Sequence, residues 1–182
     1  RSPFVYVPGN HDIWNATSRG IYEARYGPTY RSFNYRGLHF ITLDTEEHDS
    51  RGQPVERITG KQLEWLKQDL ARSRGARQIL IFMHRPVWQT GGLDDVYPLL
   101  GGLPVHVFAG HHHRYSKEEI RGIPHIVLSA VAGALSGRES VDSGNFRHYV
   151  FATVRGDELK LALIRLGGVL SPNITRMKGE SR

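Results

Sequence analysis

The stretch Phe4-Val5-Tyr6-Val7-Pro8-Gly9-Asn10-His11-Asp12 decides how this chain is read. Four apolar residues predict a buried strand over 4–8, stopped by proline and glycine. Directly after the stop come an amide, an imidazole and a carboxylate. All three side chains can bind a metal or move a proton, and a strand end holds them rigidly.

The same design recurs twice further along. The run from Arg77 to Met83 has the continuous apolar pattern of a strand covered on both faces, and it ends in His84-Arg85-Pro86. Val105 to Ala109 is another strand, ending in Gly110-His111-His112-His113. In α/β sheets the carboxyl ends of strands form the ligand crevice. Each cluster alone has an ordinary reading as a turn or a surface loop. Three at one structural position, each opened or closed by Gly or Pro, point to a shared metal centre. An amide oxygen with imidazole nitrogens is a borderline-hard donor set that suits Mn, Fe, Co or Zn better than Ca.

Between the clusters, a helix is predicted over 18–26, capped by Ser18 and stopped at Gly27-Pro28. A hairpin follows, from Tyr30 to Tyr35 and from Leu38 to Asp44, turning at Arg36-Gly37. Residues 45–54 are polar and read as a loop. A helix over 59–73 carries a capping-box pattern at Thr59 and Gln62, a staple of Ile58 with Leu63, and an apolar face of Leu63, Leu66 and Leu70. A short helix is expected near 93–100. Residues 115–120, 123–129, 146–154 and 158–166 read as successive antiparallel strands. No linker is evident, so one domain is expected over 1–170, with a polar tail over 171–182.

Composition narrows the chemistry. With 182 residues and 39% hydrophobic content the chain can bury a sizeable core. It has no cysteine, which excludes disulfides, thiolate zinc sites and cysteine nucleophiles. The formal charge of +6 favours anionic partners, but Lys and Arg are scattered. No basic stripe interleaved with aromatics is seen, so nucleic acid is not the favoured partner. The least polar stretch, Ile126 to Leu135, is too short to span a bilayer.

At the three clusters the sequence resembles the calcineurin-like metallophosphoesterase superfamily. Gly9-Asn10-His11-Asp12 matches its GNH[DE] motif, His84 with Pro86 its isolated ligand histidine, and Gly110 to His113 its GHxH motif. Residues 30–45, followed by Gln62-Leu63-Glu64-Trp65-Leu66, are similar to the middle of many bacterial members. The resemblance covers roughly residues 3–150. It implies an α/β fold, a β-sandwich flanked by helices that ends in antiparallel strands. It also implies a binuclear centre of two divalent ions (Mn, Fe, Zn or Co).

By that resemblance Asn10, His84 and His111 would ligate the second metal and His113 the first. His11 would protonate the leaving group, and Asp12 would hold its neighbours from behind the ligands. His112 fills the variable motif position, and neither it nor His106 receives a role. The family's first two motifs, D-x-H and G-D-x-x-D, occur nowhere in the chain. The expected domain therefore lacks its first βαβ segment, with its natural start upstream, and carries only part of the bimetal site.

The expected activity is hydrolysis of phosphate mono- or diesters by a metal-bridging hydroxide. The rivals are a non-catalytic fragment or accessory metal-binding domain, and a nuclease of the same superfamily. Arg85 and Arg114, beside ligand positions, read more readily as solvent-facing than as phosphate partners.

Overall fold

The computed structural model describes residues 4–174. The chain forms two compact units, Arg1–Pro104 and Val105–Arg182. The fold is mixed α/β and ends in antiparallel strands.

In the first unit, helix α1 spans Ala16–Tyr26, strands β1 and β2 span Arg31–Tyr35 and Leu38–Thr42, helix α2 spans Gly60–Arg72 and strand β3 spans Gln78–Phe82. A 3-10 turn, Val87–Thr90, and a short helix α3, Tyr97–Leu100, follow. Strands β1 and β2 form the expected antiparallel hairpin. Its turn has positive φ at both Arg36 and Gly37, which matches the right-handed twist of the flanking strands. Strands β2 and β3 are parallel, with Thr42 opposite Phe82. The loops that leave them, residues 43–46 and 83–86, therefore emerge at one edge. Ile41, Leu43, Ile58, Leu66, Ile79 and Ile81 are essentially inaccessible and form the core of this unit.

Three expectations are corrected here. Residues 4–8 are extended but belong to no strand. Strand status requires a ladder, and among the described residues this segment has none; its aromatics pack instead, Phe4 on Tyr6 and Tyr6 on Tyr26 of α1. The cap of α1 is Asn15, not Ser18. The Asn15 side chain accepts from the Ser18 N–H at 2.9 Å while Ser18 Oγ accepts from the Asn15 N–H at 3.1 Å, so serine acts as the capping-box partner inside the helix. In α2, Thr59 makes no side-chain cap and no box forms. Gln62 turns inward and pairs with the Asp44 backbone, its Oε1 accepting from the N–H at 2.8 Å and its Nε2 donating to the carbonyl at 3.0 Å. A buried backbone left without partners costs more than a surface cap is worth, and Gln62 goes where that cost is met.

In the second unit, strands β4, β5 and β6 span Val105–Ala109, Ser116–Ile120 and Ile123–Val127. Strands β7, β8 and β9 span Tyr149–Arg155, Glu158–Arg165 and Gly168–Leu170. The expectation of an unbroken antiparallel series holds for β5 with β6 and for β7 through β9. It fails between β6 and β7, which belong to different sheets; β4, outside that series, pairs with β6 in parallel, Ala109 opposite Val127. Strand β5 returns on the outer side of β6, so β6 comes to run alongside β4. Tyr115, Phe146, Val107 and Leu163 are fully buried in this unit. Most of the expected tail, residues 175–182, lies outside the described residues. No described helix is long and apolar enough to cross a membrane.

Candidate metal centre

Asn10 sits in a turn that closes on itself. The N–H groups of Asp12 and Ile13 donate to the Gly9 carbonyl at 2.8 and 3.0 Å, and the Asp12 carboxylate accepts from the Gly9 N–H at 2.9 Å. Ile13 is buried and pins the turn to the core, and α1 starts three residues later. Asp12 thus holds the backbone of the turn. His11 is exposed on the same turn.

His84 leaves the end of β3 and reaches this turn. Its Nε2 lies 2.8 Å from Asn10 Oδ1. A Cβ at position 9 would lie only 2.9 Å from His84 Cε1 and Nδ1. Glycine is therefore required at position 9 for space, so that the imidazole can lie against the backbone. The spacing of the two donors fits a metal. Ligands at about 2.0–2.2 Å from one ion and at right angles stand about 2.8–3.1 Å apart. Here an N–H···O hydrogen bond joins the two atoms, and an ion bound by both would displace its proton.

The second unit supplies His111 and His113 together, on the loop after β4. Both have left-handed backbones, with φ of 68° and 51°. Such conformations cost a non-glycine residue about 1–2 kcal/mol each and are a mark of functional loops. The Nδ1 of His113 faces the Ala134 carbonyl at 2.7 Å. A carbonyl only accepts, so Nδ1 carries a proton and Nε2 is the ring nitrogen left for a ligand role, as is typical of ligating histidines. His112 is exposed, with its ring 5.6 Å from that of His111. Arg114 is exposed and donates to the Ser143 carbonyl at 2.7 Å.

Arg85 is corrected. Its side chain is not solvent-facing but mostly buried, and it is engaged with the fully buried Glu46, Nε standing 3.1 and 3.0 Å from the two carboxylate oxygens. Burial pushes the Glu46 carboxyl up, and the Arg85 guanidinium opposes the shift. A second buried acid, Asp44, pairs with Arg19 of α1 at 2.5 Å. Neither acid stood out in the sequence, where Asp44 ended a predicted strand and Glu46 fell in a polar loop. The available signal was position: they follow an apolar run, as the three polar clusters do. Among the described residues no group of three or more His, Cys, Asp or Glu is arranged to hold an ion.

Asn10 on its turn and His84 just after β3 thus meet on an α/β framework. The sequence profile of the calcineurin-like phosphoesterase family matches residues 1–115, and the chain belongs to that family. Members generally use divalent metals. The chain is 30% identical to the serine/threonine-protein phosphatase CPPED1 of Pongo abelii over 158 residues, 75% of this chain and 49% of that protein. It is 31% identical to the 3',5'-cyclic adenosine monophosphate phosphodiesterase CpdA of Escherichia coli K12 over 87 residues, 48% of this chain and 30% of that one. A solved structure titled "GAP50 the anchor in the inner membrane complex of Plasmodium" aligns with TM-score 0.42 at 18% identity, over 77% of this chain and 47% of that chain; family membership rests on the sequence. The chain spans about half the length of the CPPED1 relatives it matches.

Proposed function

We propose that this chain forms part of a divalent-metal phosphoesterase acting on phosphate mono- or diesters. The observation that carries the proposal is the Asn10–His84 pair, two donors set at ligand spacing by a glycine that leaves room for the ring. Asn10 through Oδ1 and His84 through Nε2 would hold one ion; by the family resemblance, His111 and His113 of the second unit are further candidate ligands. An ion held there supplies Lewis acidity toward a phosphoryl oxygen. The turn closed by Asp12 keeps Asn10 in place, which leaves the exposed His11 to hand a proton to the departing alkoxide. The net positive charge favours approach of an anionic ester.

A second reading is a metal-binding module without turnover of its own. It is favoured by the neutrality of Asn10 and His84 as donors, and among the described residues no group of three or more His, Cys, Asp or Glu is arranged to hold an ion. A neutral set offers no charge to hold two dications together.

The test uses the Mn²⁺-loaded chain and its Asn10→Ala and His11→Ala variants, assayed for metal content and for hydrolysis of p-nitrophenyl and alkyl phosphates. Asn10→Ala is expected to lose metal. His11→Ala keeps its metal and slows alkyl ester turnover by roughly 10²–10⁴. It slows the nitrophenyl ester less, because that leaving group departs without a proton. If His11→Ala loses metal as readily, His11 is a ligand. If the loaded chain turns over neither ester, the binding-module reading stands.

A further inference from the structure

Two buried acids join the arms that carry Asn10 and His84. On the His84 side the contacts form a closed ring. The Arg85 N–H donates to Thr45 Oγ1 at 3.0 Å, Thr45 Oγ1 donates to Glu46 Oε1 at 3.2 Å, and Arg85 Nε donates back to the same carboxylate. Backbone and side chain of the residue after His84 are both fixed by it. On the Asn10 side, the Glu46 N–H donates to Asp44 Oδ1 at 2.8 Å. Arg19 then ties α1 to both acids, Nη1 to Asp44 Oδ2 at 2.5 Å and Nη2 to the Glu46 carbonyl at 2.9 Å. Gln62 of α2 holds the Asp44 backbone from the other side. Helix α1 leads directly from the turn that bears Asn10, so the circuit runs from Asn10 through α1, Arg19, Asp44, Glu46 and Arg85 to His84. It closes where the two donors meet.

Such a circuit does more than support the fold. Two carboxylates, at 0% and 1% side-chain exposure, have been taken out of water to do it. Replacing a buried ion pair by apolar residues is often neutral or stabilising, so stability alone is weak ground for keeping one. What the circuit does fix is the relative placement of two loops. We propose that Glu46, with Arg85 and the Arg19–Asp44 pair, is a positioning residue that sets the Asn10–His84 donor spacing. The inference rests on the metal-site reading above. Glu46 itself bonds to neither donor in the contacts described; it acts through Arg85.

The test measures Mn²⁺ affinity of the chain by calorimetry, with Glu46→Gln and Arg85→Lys as variants. Asp69→Asn serves as a control. It weakens another buried contact, His39 Nε2 to Asp69 at 2.7 Å, at the opposite end of β2. In the metal-free chain, solvent exchange of the His84 Nε2–H resonance gives a second readout. Glu46→Gln is expected to weaken Mn²⁺ binding roughly tenfold or more, the usual cost of losing a partner behind a ligand. It should also speed exchange at His84. Asp69→Asn lowers the melting temperature but leaves affinity and exchange unchanged. The proposal is overturned if Glu46→Gln binds within twofold of the parent, or if Asp69→Asn weakens binding as much. If Asn10→Ala and His84→Ala do not reduce Mn²⁺ binding, the metal-site reading fails, and the proposal with it.

Discussion

Replacing Gly9 with alanine should separate metal affinity from stability. The new Cβ would stand 2.9 Å from His84 Cε1 and Nδ1 and 3.1 Å from Cγ. Carbon atoms pack comfortably at about 3.5–4.0 Å, so the ring must retreat by about 0.6–1.1 Å. Retreat away from Asn10 stretches the present 2.8 Å between donors to about 3.4–3.9 Å, beyond a hydrogen bond and beyond right-angle ligand spacing. Tetrahedral ligands stand about 3.3–3.6 Å apart, so the widened pair still suits Zn²⁺. Mn²⁺ affinity is expected to fall roughly 10–100-fold and Zn²⁺ affinity by less. Stability should fall by at most about 2–3 kcal/mol, without loss of a cooperative melt. Gly9 has no positive φ, so alanine restricts the unfolded chain and gains about 0.4–1 kcal/mol, against an overpacking cost of about 1–3 kcal/mol. The assay is calorimetric titration with each metal beside a denaturant melt. Mn²⁺ affinity within threefold of the parent would refute the reasoning. So would equal losses for both metals together with a collapsed melt, because the effect would then come from the fold.

Two further outcomes concern the second unit. His106, His125 and His148 are held below the ordinary histidine range, each chiefly by burial. A depressed folded-state value means the unfolded chain binds more protons, so their contribution is intact above about pH 6.5 and is lost as pH falls below it. The loss is up to about 1.4 kcal/mol per pH unit for each histidine, read from urea midpoints between pH 7 and 5; a flat profile there would refute it. Gly144→Ala should be the most damaging single methyl, because φ is 78° and the Cβ would fall 2.1 Å from the Tyr115 carbonyl oxygen. A loss above about 3 kcal/mol is expected in equilibrium unfolding, and a loss under 1 kcal/mol would contradict the geometry.

The features legible in the sequence were those whose cause is local. The hairpin turn at Arg36-Gly37 and the boundaries of β4 follow from residue type within a few positions. The three polar clusters were visible because each follows an apolar run. What failed was whatever needed a partner far along the chain. Phe4 to Val7 has the composition of a strand, but a strand is a pairing, and composition does not supply the neighbour. Thr59 and Gln62 have capping-box spacing, but the demand of the buried Asp44 backbone is tertiary and overrides it. Asp44 and Glu46 carried no signal because their cations, Arg19 and Arg85, lie 25 and 39 positions away.

That pattern bears on how the site is built. Residues that would meet a metal are recognisable because ligand chemistry restricts them to a few types at rigid strand ends. Residues that place those ligands are under a looser demand. Any buried charge with a matching partner can hold a loop, so type and spacing leave no signature. Their common property is physical: a carboxylate removed from water is retained where a cation meets it, and here both cations lie beside a segment that bears Asn10 or His84. Arg85 directly follows His84, and Arg19 stands in the second turn of the helix that begins after Asn10's turn. The buried charges of this unit thus divide by location. The His39–Asp69 pair joins β2 to the far part of α2, away from the strand ends. The Arg19–Asp44 and Glu46–Arg85 pairs stand at the edge where β2 and β3 end together. A requirement of stability alone would not select that edge. A requirement to hold Asn10 and His84 at a fixed separation would.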